Sequence, residues 1–342
     1  MRDQVTNPDC HAMAGGSHGM LARTYYRLKP FIPQSVRWVM RRSRISRILR
    51  QSADVWPINE SASGTPLGWK GWPNGKKFAL VFTHDVESAR GLENVRALAE
   101  LEKAFGFCSS FNFIPKGPYE DPVMLREWLM DNGFEIGVHD LNHDGQLYES
   151  REGFREKAKE INDYLVKWDA VGFRSGFMLR QLDWLHDLNI LYDASTFDTD
   201  PFEPQPEGSN TIFPFLVKHP TDVRRPGYIE LSYTLPQDST LFLLLRERTP
   251  AIWKEKLEWI KEHGGLALIN IHPDYIAFPE NRKSSCTYPS ALLEEFLEYI
   301  KNEYGNMCWN PLAKELAVWY RNGTSPHTSP NEGGFPPGSP LN

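Results

Sequence analysis

The sequence predicts an α/β fold with a mostly parallel sheet covered by helices. Two observations carry this. Short apolar runs of strand length alternate with segments of helical period along residues 76–320. The strand runs are apolar throughout rather than alternating, as strands buried on both faces are. A doubly wound open sheet and a (β/α) barrel both satisfy these observations, and the residues at the strand ends decide between them.

The elements follow in order. Phe78–Thr83 is an apolar run of buried-strand length, and Leu92, Val95, Leu98, Leu101 and Phe105 then recur at helical spacing. Phe111–Ile114 reads as a strand, and residues 122–131 as a helix with Pro122 at its start and Gly133 just past its end. Glu135–Val138 is a short strand, and Arg151–Trp168 a long charged helix. Val171–Phe173 and Ile190–Tyr192 are further strands. Trp253–Lys261 is a helix stopped by Gly264 and Gly265, Leu266–Ile271 a strand, and Leu292–Tyr304 a closing helix.

This core is flanked on both sides. Residues 1–75 form an N-terminal helical extension: a polar opening, a basic stretch from Arg23 to Arg50 with apolar residues at roughly helical spacing, and a Gly-, Pro- and Trp-rich linker over 61–75. A basic amphipathic helix over 23–50 can rest on an anionic membrane surface or pack on the main domain with its Arg face solvated, and packing is favoured. Residues 321–342, rich in Gly, Pro and Ser, read as a disordered tail. A net charge of −6 argues against a general nucleic-acid binder. The four cysteines are widely separated and form no CxxC pair, so free thiols are expected rather than a cysteine metal site. No apolar run reaches membrane-spanning length and the N-terminus lacks the apolar centre of a secretory signal, so the expected location is cytoplasmic, with peripheral contact at the inner face of the membrane through 23–50 as a variant.

Four strand ends carry side chains suited to chemistry. His139 and His143 stand at i and i+4 after a short apolar strand, a spacing that lets both reach one metal on a helical turn. Asp85 and Glu87 close the first strand and, in extended backbone, point to the same side; the alternative is a helix N-cap. Arg174 follows the strand at Val171–Phe173 and can hold a buried carboxylate ionised, or can be a surface residue in a turn. His272 ends the strand Leu266–Ile271, where it can serve as acid or base or simply be a satisfied core histidine. Each bland alternative survives alone. Together they weaken, because Asp85, His139, Arg174 and His272 all terminate apolar strands, and a parallel barrel gathers its strand carboxyl ends at one mouth.

These residues resemble the polysaccharide deacetylase (NodB-homology) superfamily, whose members remove acetyl groups from amino-sugar polymers. Thr83-His84-Asp85-Val86-Glu87 is similar to its Asp-rich first motif, His139 and His143 to its HxxxH motif, and Arg174-Ser175-Gly176 to its Arg motif. Tyr192–Phe202, with Asp193 and Asp198, loosely resembles the Asp- and aromatic-rich fourth motif, and His272 the terminal His motif. The resemblance spans Lys76–Asp274. It departs from the usual pattern at Val86, which stands where the family's second acid binds metal, and at His84, which replaces an aromatic.

The resemblance implies a distorted, incomplete (β/α) barrel, TIM-barrel-like and seven-stranded. It also implies one divalent ion, zinc being the usual one, held by His139, His143 and either Glu87 or Asp85. Asp85 would be the base for metal-activated water, Arg174 would orient Asp85, His272 would protonate the departing amine, and Asp193 or Asp198 would orient His272. The implied substrate is an N-acetylated sugar or glycan precursor, and the implied activity is a metal-dependent carbohydrate N-deacetylase. The alternatives are another C–N amidase on the same scaffold and a catalytically inactive carbohydrate binder.

Overall fold

The structure is a computed structural model that describes residues 45–222, 224–279, 284 and 286–324. Helix α1, Ile45–Gln51, is the described end of the basic stretch, and its Ile45, Ile48 and Leu49 pack against the main core. The rest of that stretch, residues 23–44, and the tail beyond 324 lie outside the described residues.

Strand β1, Phe78–Val86, is the centre of the fold and is buried along its whole length. Helix α2 follows over Ala89–Phe105, with Ser88 as its N-cap and Gly106 in the left-handed region past its end. Then come β2 (Ser109–Phe113), α3 (Val123–Asp131), β3 (Glu135–His139), α4 (Arg151–Lys167), β4 (Gly172–Arg174) and β5 (Tyr192–Asp193). The second half holds β6 (Phe215–Val217), β7 (Tyr228–Glu230), a π-helical turn over Ser239–Leu245, α5 (Ala251–His263), β8 (Leu266–Ile271), and the paired β9 (Ile276–Ala277) and β10 (Tyr288–Pro289). Helix α6 (Ala291–Tyr304), β11 (Cys308–Trp309) and α7 (Ala313–Thr324) close the described chain.

The main sheet has nine strands among the described residues. Strand β6 joins antiparallel to β7, and β11 pairs only with the first residues of β1. The remaining seven run parallel in the order β8-β1-β2-β3-β4-β5-β7. The Thr234 and Leu235 N–H groups, just past β7, donate to the Leu268 carbonyl of β8 at 2.9 and 3.1 Å, so the two ends lean together without a paired ladder. This is the open, incomplete barrel that the strand ends and motifs implied.

Alternation along β1 sorts its side chains. Phe78, Leu80 and Phe82 join the outer core beneath the helices. Ala79 and Val81 join an inner core with Leu266, Leu268, Ile229 and Leu231, which fills the lower barrel. Continuing the alternation sends Thr83 and Asp85 inward and His84 outward. His84 accordingly lies against Phe111 with ring centroids 4.5 Å apart, its Nε2 2.9 Å from Glu102 Oε1 of α2. The histidine that replaces an aromatic in the first motif is therefore part of the helix–sheet layer, away from the mouth.

Two boundary expectations change. The stretch 61–75 is packed rather than a free linker: Ala62 and Trp72 are buried, and the Trp72 indole N–H donates to the Gly264 carbonyl at 2.8 Å. The large apolar area of its tryptophans is worth more buried than solvated. At the other end, α7 continues past residue 320, because Ala313, Leu316, Ala317 and Tyr320 fill the inner core.

Candidate metal centre and active site

The barrel mouth is built from the ends of β1, β3, β4 and β8. Inside it, Arg174 is fully buried and ties four strands together. Its Nη1 donates to Asn270 Oδ1 at 2.6 Å, to Thr83 Oγ1 at 2.9 Å and to Asp85 Oδ1 at 3.3 Å, and its Nε donates to the Ala194 carbonyl at 2.7 Å. Asp85 also accepts from Asn112 Nδ2 on Oδ1 at 2.9 Å and from Asn270 Nδ2 on Oδ2 at 2.8 Å. Oδ1 is thus doubly engaged, while Oδ2, with one protein donor among these bonds, keeps a lone pair able to take a proton. Burial by itself would raise the Asp85 pKa. The Arg174 guanidinium, His139, His272 and the Asn112 amide outweigh it and hold the carboxyl well below the usual range.

Glu87 stands two residues on, half-buried, and its Oε1 is a point of convergence. It lies 3.2 Å from His143 Nε2, 3.9 Å from His139 Nε2 and 3.9 Å from His272 Nε2. Burial would raise the Glu87 pKa, but His143, His139 and His272 lower it well below its ordinary value.

The two metal-motif histidines do not lie on a helical turn, as the i, i+4 spacing suggested. His139 is the last residue of β3, and the chain then turns through left-handed backbone at Asp140 (φ 58°) and His143 (φ 53°). The loop after β4 does the same at Phe177 (φ 58°) and Met178 (φ 53°). Such conformations in non-glycine residues are strained and collect at functional sites. Asp140 N–H donates to the Arg174 carbonyl at 2.8 Å and its Oδ1 accepts from Leu141 N–H at 2.7 Å, which holds the turn. The Phe177 ring lies 4.2 Å from the His143 ring, centroid to centroid. Gly176 must lack a side chain, since a Cβ there would meet the Asp140 carboxylate and the His143 ring.

These turns bring Glu87, His139 and His143 together, each offering one ligand atom within 4.8 Å of the others. Among the described residues no other three acidic, His or Cys side chains converge in this way, and Asp85 is outside the group. His139 Nδ1 donates to the Arg174 carbonyl at 3.1 Å, which fixes the ring and leaves Nε2 turned toward Glu87. His139 Nε2 and His143 Nε2 are buried and neither makes a hydrogen bond. Burial would lower the His139 pKa, yet Asp85 and Glu87 outweigh it and raise it. The spot therefore favours a cation, and two imidazoles with a carboxylate are a fitting donor set for a divalent metal.

His272 has a carboxylate partner, but not an expected one. Its Nδ1 donates to Asp238 Oδ1 at 2.7 Å and its backbone N–H to Asp238 Oδ2 at 3.0 Å, an oxygen that also accepts from Tyr288 O–H at 3.0 Å. Burial would lower the His272 pKa; Asp238, with Glu87 and Asp85, overrides it and pushes the pKa up to about 10. Asp193 and Asp198 are elsewhere. Asp193 accepts from Ser195 Oγ at 2.7 Å and interacts with Glu230 of β7, and burial raises its pKa. Asp198 lies 2.8 Å from Lys256 Nζ of α5, and burial, against the pull of Lys256, raises it to about 6. The motif-based assignment of either as the partner of His272 is thus corrected to Asp238.

Residues 228–234 carry the signal that could have led to Asp238. The run Tyr228-Ile229-Glu230-Leu231-Ser232-Tyr233-Thr234 alternates like a strand, which places Asp238 four residues past a strand end. Asn112 and Asn270, interior residues of β2 and β8, bore no such mark.

No family model matches the sequence, and no curated protein matches it either. Solved structures do. A candidate polysaccharide deacetylase from Mycobacterium smegmatis superposes with a TM-score of 0.59 at 18% identity, over 79% of this chain and 99% of that one. A pseudoenzyme of carbohydrate esterase family 4 from Bacillus anthracis matches at 15% identity over 72% of this chain and 66% of that one, with a TM-score of 0.44. A candidate polysaccharide deacetylase involved in O-antigen biosynthesis, from Bordetella bronchiseptica, matches at 18% identity over 59% of this chain and 74% of that one, with a TM-score of 0.41. The first of these carries the fold assignment: the chain shares the incomplete-barrel fold of that protein.

Proposed function

We propose that this chain is a divergent polysaccharide deacetylase: a metal-dependent hydrolase that removes the N-acetyl group of an amino sugar in a polysaccharide or glycan precursor. The observation that carries the reading is the convergence of three imidazole Nε2 atoms on Glu87 Oε1 beside an ionised Asp85. His139, His143 and Glu87 are the proposed metal ligands, so the carboxylate that Val86 does not supply comes from the next residue. When bound, a divalent ion such as zinc supplies a Lewis acid for the acetamide carbonyl and makes water a nucleophile near neutral pH.

The remaining steps belong to the chain itself. Asp85 takes the proton of the attacking water on Oδ2, and Arg174, Asn112 and Asn270 keep that carboxylate charged and aimed. His272, held as a cation by Asp238, donates its Nε2 proton to the amine, which leaves poorly without one. The buried Arg174 contributes charge without touching the substrate.

Elemental analysis of the purified protein beside His139→Ala tests the metal reading. About one divalent ion per chain, lost in the variant, is expected. Screening N-acetylated sugars for acetate release then tests the reaction, since another C–N amidase would release a different product. Absence of metal after reconstitution would favour the alternative of an inactive carbohydrate binder. Glu87, which brings to His139 and His143 the carboxylate that Val86 lacks, supports the active reading.

No described helix is long and apolar enough to cross a membrane. A cytoplasmic glycan precursor, handled at the inner membrane face with the help of residues 23–50, remains part of this proposal; salt-sensitive vesicle binding lost on deleting 23–44 tests it.

A further inference from the structure

Glu87 is an unusual choice of ligand, because its longer side chain adds a rotatable bond that something must hold. The turn after β8 is built to do this. Asp274 Oδ2 accepts the Glu87 backbone N–H at 3.0 Å, and Asp274 Oδ1 accepts the Ser88 hydroxyl. The carboxylate fits only because Gly91 has no Cβ, which would otherwise collide with it. Asn94 Nδ2 donates to the Pro273 carbonyl at 2.8 Å and the Ile276 carbonyl at 3.1 Å, fastening the whole turn to α2. From this fixed turn the Tyr275 hydroxyl donates to Glu87 Oε2 at 3.3 Å, while its ring lies 5.1 Å from that of His272.

We infer that Tyr275 is a positioning residue for the metal site: by engaging Glu87 Oε2 it leaves Oε1 as the oxygen presented to the imidazoles. The inference rests on reading Glu87, His139 and His143 as metal ligands. It assigns the segment Pro273-Asp274-Tyr275 a second task beside that of following His272. The end of β1 and the end of β8 are thereby locked in one geometry, with Asp274 holding the backbone of Glu87 and Tyr275 its side chain. A hydrogen bond to the oxygen of a ligating carboxylate both orients it and tunes its affinity.

The test is cobalt(II) titration followed by its d–d absorption, for wild type, Tyr275→Phe, Glu87→Asp and the double variant, with thermal melts of each. Tyr275→Phe is expected to raise the cobalt Kd roughly tenfold to a hundredfold and to change the intensity of the absorption, with an unchanged melt. In Glu87→Asp the shortened carboxylate is withdrawn from the hydroxyl, so adding Tyr275→Phe should change Kd by less than about threefold, the non-additivity expected of two residues acting through one contact. An unchanged Kd and spectrum in Tyr275→Phe overturns the inference. So does a Tyr275→Phe step as large in the Glu87→Asp background as in wild type, or a lowered melt accompanied by an unchanged spectrum. A wild type that binds no cobalt overturns the metal reading itself, and this inference with it.

Discussion

The two ends of the barrel are built on opposite principles. At the amino ends of the strands, Trp69, Trp72, Trp309 and Trp319 interlock: Trp72 stacks on Trp319 at 5.2 Å, and Trp69 meets Trp72 edge-on at 4.8 Å. Helix α7 plugs this end, and its first turn is held by Glu135, whose Oε2 accepts the Lys314 N–H at 3.0 Å. At the carboxyl ends, apolar packing gives way to buried charge: Asp85, Arg174, His139, His272 and Asp238, framed by left-handed backbone at Asp140, His143, Phe177 and Met178. One end gains stability from apolar area, the other holds charges and strain that the first must sustain. Even along β1 the change is visible, with Ala79 and Val81 packed in the inner core and Thr83 and Asp85 in the polar network.

If the division is sound, variants at the two ends should fail differently. The largest effect is expected at the mouth: His139→Ala loses the metal and all turnover while the circular dichroism spectrum stays native. His272→Ala should keep the metal and lose roughly a hundredfold to ten-thousandfold in kcat; full turnover in this variant would remove His272 from the chemistry. Trp72→Ala should do the reverse, lowering stability in urea by about 3–5 kcal/mol while the metal stoichiometry of the folded protein is unchanged.

Arg174→Met sharpens the comparison because it removes charge where charge is concentrated. It leaves Asp85 buried without its guanidinium, with an expected loss of about 3–5 kcal/mol in denaturant titration, alongside reduced turnover. The smallest effect concerns Asp198, whose carboxyl rises from an ordinary 3.8 to about 6 in the folded state. The native state then binds more protons than the unfolded one between those values, so this group's stabilisation is full below the lower value and is lost as pH rises through the upper. Wild type minus Asp198→Asn stability, from urea midpoints at several pH values, should fall across that window and level off above it. A flat difference would show that Lys256 compensates the charge fully.

Much of the molecule was legible from residue order. The strand runs at 78–83 and 266–271 and the helices at 92–105 and 151–168 were readable because long apolar runs and helical periods follow from local geometry. The site candidates Asp85, Glu87, His139, His143, Arg174 and His272 were legible because each follows an apolar strand. The choice between Asp85 and Glu87 was not: alternation sends both to one side, and only the positions of Arg174, Asn112 and Asn270 separate a clamped carboxylate from one facing the imidazoles. The spacing of His139 and His143 anticipated that the two rings meet, but through the wrong local structure, since a strand end and a strained turn bring them together where a helical turn was expected.

By itself the sequence determined the alternation of strands and helices, the shared side of Asp85 and Glu87 and the candidate titratable residues at the strand ends. These depend on neighbours along the chain, and the physics that fixes them is the period of backbone geometry. Tertiary structure alone decided that Asp238 rather than Asp193 or Asp198 holds His272, that His84 belongs to the helix layer, and that the tryptophans of 61–75 close the barrel floor. Those outcomes depend on which segments, distant in sequence, share a few ångströms of buried space. Burial, hydrogen bonding and charge select among such partners only once the chain has closed on itself.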